Sequence, residues 1–161
     1  MTRAEADEIA QLLNDRNRLV RRYTGQQVLA DADNYEYESR DGHVVACVEL
    51  KRVQWYQWEI RHLSVREDSE GKGLAFTVYS RAEAAALQRG AGVLQCTIRQ
   101  GNEDSEKFFR RQGFTRVGAF YYQTTNNPTL AETKALRGPT RDNRNLVGGG
   151  LLRSGFHPES A

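Results

Sequence analysis

Apolar residues near the start of the chain recur at helical spacing: Ile9, Leu12, Leu13, Leu19 and Val20. Thr2 followed by Glu5 has the form of a capping box, with Asp7 and Glu8 adding negative charge to the first turns. Arg18, Arg21 and Arg22 lie toward the other end, where a helix dipole favours cations. The pattern predicts a helix from Thr2 to Tyr23. Alternation then takes over. Tyr35, Tyr37 and Ser39 alternate with charged neighbours up to Arg40-Asp41-Gly42, whose Asp-Gly pair is a hairpin signal. His43 to Val53 is the returning strand, rich in β-branched residues, and Gln54 to Val65 is a third. Trp55, Gln57, Glu59 and Arg61 fall on one face of that third strand, and Tyr56, Trp58, Ile60 and His62 on the other. By this parity His62 is a packed residue rather than a base. Three consecutive strands make an antiparallel meander.

The period changes again after Val65. Arg66 to Lys72 is charged, and Gly71 and Gly73 punctuate it. Leu74, Ala75, Val78, Ala82, Ala85 and Ala86 then follow helical spacing as far as Gln88, with Gly90 and Gly92 as a stop signal. Val93 to Ile98 is a short, mostly apolar strand, as expected of one covered on both faces. Asn102 to Gln112 reads as a short helix, Phe114 to Thr124 as a strand, Asn126-Asn127-Pro128 as a turn, and Thr129 to Leu136 as a last strand. A β-α-β unit attached to a meander predicts an α+β fold with a mixed sheet and helices on both faces. We expect one domain over 1–137 and an extended tail containing Gly and Arg over 138–161.

Composition narrows the function classes. The 161 residues are 39% hydrophobic and 27% charged, enough for a packed globule. No apolar run is long enough to span a bilayer, and no apolar stretch follows the first charges as a secretory signal would require. Cys47 and Cys96 lie far apart, and with His43, His62 and His157 they offer no metal-ligand spacing. The expectation is a soluble cytoplasmic protein without a metal or membrane partner. With 23 basic and 21 acidic residues, the net charge of +2 gives no support to nucleic acid as a partner.

The sharpest chemical feature is Glu70-Gly71-Lys72-Gly73-Leu74-Ala75, between a strand and a helix. Glycines allow close main-chain approach, and the free N–H groups of a first helical turn attract an anion. Two readings stand: a pyrophosphate cradle, or a turn that only starts a helix. There is no GxxxxGK[ST] and no GxGxxG, so neither a nucleoside-triphosphate loop nor a dinucleotide fingerprint is present.

The stretch from Glu59 to Phe114 resembles the GCN5-related N-acetyltransferase (GNAT) family, which transfers acyl groups from coenzyme A to amines. The matching pieces are EIRHLSV, then EGKGLA where the family has [Q/R]-x-x-G-x-[G/A], a helix ending LQRGAG, the strand VLQCTI, Asn102, and FFRRQGF in place of LYEKLGF. TLAETKAL resembles the closing strand, and the ordered set runs from Tyr35 to Leu136. The family's usual first strand, before the N-terminal helix, is not evident.

The resemblance implies acetyl-CoA as cofactor. Backbone N–H groups around Leu63, Ser64 and Val65 would take the pantetheine arm, and main-chain donors from Glu70 through Gly71, Lys72, Gly73, Leu74 and Ala75 the pyrophosphate. Asn102 would contact the cofactor or merely cap the following helix. Glu59, immediately before Ile60, is the candidate general base; its plain alternative is a solvated or Arg61-neighbouring strand carboxylate. The family's usual acid is a tyrosine where this chain has Phe109, a residue expected beside the cofactor or in the core. Tyr121, Tyr122 or water would then substitute. Glu70 stands where Gln or Arg is usual, and it would repel a pyrophosphate unless it points away or is offset by Lys72. The implied function is N-acyl transfer from acetyl-CoA to a small-molecule or protein amine, chosen in part by Trp55, Tyr56, Tyr121 and Tyr122. The alternative is a GNAT-fold binding or assembly subunit, for instance in a virion, with little or no catalysis. In the tail, Leu146-Val147 and Leu151-Leu152 flank three glycines and form a candidate clip for a homo-oligomer or larger assembly.

Overall fold

The computed structural model describes residues 1–17, 19–123 and 125–136. The expected tail, 138–161, and its apolar clip lie outside the described residues.

Thr2 caps helix α1 (Arg3–Arg16) through the box with Glu5 that its sequence promised. The helix is shorter than its apolar spacing predicts. Asn17 adopts extended backbone and returns its amide side chain to the Leu13 carbonyl, which ends the helix. A second helix, α2 (Gly25–Ala30), follows where no element is expected. Its own box, Thr24 with Gln27, was a readable signal. Gly25 is required at the crossing with α1, because an added Cβ would sit 1.7 Å from an oxygen of Asp7.

The meander is β1 (Tyr35–Arg40), β2 (His43–Arg52) and β3 (Gln57–Val65). β3 begins three residues later than alternation predicts, because Val53 and Gln54 both donate to the Gln57 carbonyl and close a tight turn. Helix α3 (Leu74–Gln88) then crosses to β4 (Val93–Arg99), which pairs parallel to β3. α4 (Glu103–Arg111), β5 (Thr115–Tyr121) and β6 (Pro128–Ala135) complete the chain. The sheet order is β1-β2-β3-β4-β6-β5, with every pairing but β3–β4 antiparallel. A mixed sheet between helices is therefore the fold.

Two cores flank the sheet. One joins α3 and α4 to the strands through Val48, Leu50, Ile60, Val78, Tyr79, Ala82, Leu94 and Phe109. Alanines on α3 let its axis lie close to the strands. The other packs Ile9, Leu13 and Val28 of α1 and α2 on Tyr35, Val44 and Cys47. This second layer stops at β3. β4 is thus buried on one face only, through Leu94, Cys96 and Ile98, while Thr97 stays exposed. The expectation of two covered faces fails there. All of β5 is exposed, and Thr97 and Arg99, on the uncovered face of β4, line a cleft.

Candidate functional site

The cleft has a volume of about 1660 Å³ and starts where β3 and β4 part. The two strands pair only from Gln57–Val93 to Ile60–Cys96. Beyond that point Ser64 and Val65 pair with β2 alone, and Thr97 to Arg99 with β6 alone. Leu63, Ser64 and Val65 line the gap, as the sequence suggested for the arm of a cofactor.

At one end of the gap sits the glycine loop. Gly71 (φ 72) and Gly73 (φ 75) both take left-handed backbone, and an added Cβ at either would meet open space. Residues with a Cβ adopt that conformation only at a cost. α3 has no side-chain N-cap, and its first internal bond is Thr77 to the Gly73 carbonyl. The amides of Leu74, Ala75 and Phe76 therefore remain without main-chain acceptors, beside the cleft. An uncapped helix start flanked by left-handed glycines suits a diphosphate.

Glu70 also faces this end, but Lys72 does not offset it. Lys72 folds back to donate to the Asp68 carbonyl at 3.0 Å and lines no part of the cleft. The Glu70 carboxylate is held instead by the guanidinium of Arg16, the last residue of α1. Asn102 caps α4 by accepting from the Ser105 amide at 3.3 Å, and it lines the cleft as well. The capping role of Asn102 is therefore present, at a position that lines the cleft. Phe109 is buried among Tyr79, Phe108 and Phe114, with ring centroids 5.1–6.3 Å away. It borders the cleft as part of the core and has no proton to give.

The other end is built from side chains. Glu59 lines the wall with 17% of its side chain exposed, so it is not a solvated carboxylate, although it does neighbour Arg61. Burial raises its pKa; Arg61, whose Nε lies 3.8 Å away, opposes this, and Glu49 adds to it. His62 departs from parity. Val48 of β2 stands opposite both His62 and Leu63, a bulge with His62 at φ 51. The extra residue turns His62 onto the face of Arg61, with Nε2 3.8 Å from Glu49. Burial, aided by Arg61, lowers its pKa to about 4, so the imidazole is neutral at pH 7. The bulge is clamped to α1: Ser64 Oγ donates to the His62 carbonyl and accepts from Asn17 Nδ2, each at 2.9 Å.

Tyr122 reaches the rim, whereas Tyr121 points away with 68% exposure. Strand alternation past β5 separates the two. Trp55 and Tyr56 occupy the β2–β3 turn and line no part of the cleft. The residues that sequence reasoning missed are Arg16, Asn17, Tyr23 and Glu49. Local sequence carries no signal for them, because each acquires its place from contacts with distant segments.

The splayed parallel pair and uncapped α3 direct the comparison with known proteins. Residues 7–114 match the model of the acetyltransferase (GNAT) family. The chain belongs to the GNAT family. Solved structures agree on the fold. A ribosomal-protein-alanine N-acetyltransferase from Brucella melitensis aligns at TM-score 0.72 and 20% identity, covering 84% of this chain and 96% of that one. The yncA protein of Salmonella typhimurium, solved with its cofactor acetyl-CoA, aligns at 0.74 and 17%, covering 87% and 93%. The ribosomal-protein-S18-alanine N-acetyltransferase of Escherichia coli aligns at 0.69 and 11%, covering 88% and 94%. No curated protein sequence matches the chain. Among the described residues of this GNAT protein, no helix is long and apolar enough to cross a membrane.

Proposed function

We propose that this protein transfers an acetyl group from acetyl-CoA to an amine, with Glu59 as general base. The observation that carries the reading is a mostly buried carboxylate in the wall of the same cleft that an uncapped helix start lines. Acetyl-CoA supplies an activated thioester, and the yncA complex supports it as the cofactor. The amides of Leu74, Ala75 and Phe76, with the main chain of Gly71 and Gly73, would hold its pyrophosphate. The edges of Leu63 to Val65 would align its arm.

Glu59 takes a proton from the incoming ammonium and leaves a nucleophilic amine. A carboxylate whose pKa is raised by burial is better matched to that task than an ordinary one. Phe109 returns no proton to the departing thiol. Tyr122, on the rim, or water fills that role. Tyr23, Gln27 and Tyr122 border the space left for a small-molecule or protein acceptor.

A second reading, binding or assembly without turnover, is favoured by Phe109 alone, which borders the cleft where the family's usual acid stands and has no proton to give. Calorimetry with acetyl-CoA, followed by mass spectrometry of an amine panel, separates the two. Micromolar binding with a mass gain of one acetyl group on an acceptor supports transfer. Binding without transfer supports the second reading, and no binding at millimolar acetyl-CoA overturns both.

A further inference from the structure

We propose that Glu49 is a positioning residue that governs the protonation of Glu59 by sharing the Arg61 guanidinium with it. The inference rests on Glu59 as the base and deepens that reading. Glu49 is 5% exposed and lines no part of the cleft, yet charged and polar groups converge on it from three segments. Tyr23, in the α1–α2 connection, donates its hydroxyl to Oε2 at 3.4 Å. Tyr35 of β1 stands opposite Glu49 in register. From β3, Arg61 Nη1 lies 3.8 Å from Oε1 and His62 Nε2 3.8 Å from Oε2. Glu59 in turn faces Arg61 and Lys51, with the Thr97 hydroxyl beside it. The guanidinium therefore bridges two carboxylates, Nη1 toward one and Nε toward the other.

Arg61 is shared between two acids in a partly desolvated wall, so Glu49 disfavours the charged form of Glu59 while Arg61 and the cross-strand Lys51 favour it. A proton is accepted at Glu59 more readily than it would be with Arg61 to itself. Glu49 lies behind the wall and has no access to an acceptor, so its effect passes through Arg61 and the field across the strand pair. Its hydrogen bond from Tyr23 also holds one of the residues that border the acceptor space.

The two ends of the bridge should act with opposite sign, which a packing defect does not reproduce. The test is a carboxyl ¹³C NMR titration of the full chain labelled at glutamate, with the Glu59 resonance assigned by its loss in Glu59→Gln. Glu49→Gln should move the Glu59 midpoint to lower pH, and Arg61→Gln should move it to higher pH. Glu49→Asp should keep it near the wild-type value. An unmoved midpoint in folded Glu49→Gln overturns the inference. Where Glu49→Gln does not fold, Glu49→Asn is titrated in its place: a fall of the Glu59 midpoint supports the bridge, and no fall overturns it. Failure of the parent reading has a separate signature. If Glu59→Gln keeps the acid limb of acetyl transfer, Glu59 is not the base, whatever its titration shows.

Discussion

The two ends of the cleft are made in different ways. Around Gly71 to Phe76 the groups on offer are main-chain amides, positioned by left-handed glycines and the start of α3. Around Glu59 they are side chains from the α1–α2 connection, β1, β2 and β3, gathered on Glu49 and Arg61. Main-chain donors belong to a local conformation, so a short motif specifies them. The side-chain cluster depends on register, on a bulge and on helix docking. Substitutions at the first end should change affinity, and those at the second should change chemistry and pH response.

The largest effect is expected at Glu59. Glu59→Gln should lower turnover at neutral pH by about 10²-fold or more, the usual contribution of a general base, with less loss at alkaline pH where the amine is already free. Its affinity for coenzyme A, measured by calorimetry, should stay within about twofold of wild type. A comparable loss of affinity would merge the two ends into one.

His62 tests the acceptor end through stability. Its pKa is lowered in the folded state, so the unfolded chain binds the proton more readily between pH 6.5 and about 4. Stability should therefore fall as pH drops through that window, by an upper limit of about 3 kcal/mol. The raised pKa of Glu59 acts in the opposite sense as it protonates and offsets part of the loss. His62→Asn accepts left-handed backbone and removes the titration. Denaturant melts from pH 7 to 4 should show a smaller acid loss in that variant than in wild type.

Gly73→Val tests the other end. A β-branched residue at φ 75 costs about 1–3 kcal/mol and projects a side chain into the cradle. Coenzyme A affinity should weaken by about tenfold or more. Turnover at saturating cofactor should change much less. The smallest effect is expected at Glu70, whose carboxylate is already paired with Arg16. Glu70→Gln should tighten coenzyme A by only about two- to threefold, an effect that salt diminishes.

The meander, the crossover α3 and the parallel β3–β4 pair were legible because hydrophobic period and turn chemistry act locally. The capping box at Thr24–Gln27 was just as local and went unused, so α2 was missed. Glu59 and the glycine loop stand out by their residues alone, and both line the cleft. Parity misplaced His62, since a bulge reverses alternation without changing composition. Lys72 was assigned an electrostatic task that Arg16 performs, because charge in a sequence does not say which side chain arrives. Tyr121 and Tyr122 are adjacent, and only the course of the chain beyond β5 places one of them on the rim.

By itself the sequence determined the order of the strands and of every α-helix but α2, the mixed sheet and the glycine bend before α3. Those follow from side-chain periodicity and backbone freedom within a few residues. Tertiary structure alone decided that β3 and β4 separate after Ile60, that α1 lends Arg16 to Glu70, and that Glu49 meets Glu59 across Arg61. Burial and charge pairing are sums over distant segments, and they acquire values only when the chain has closed on itself.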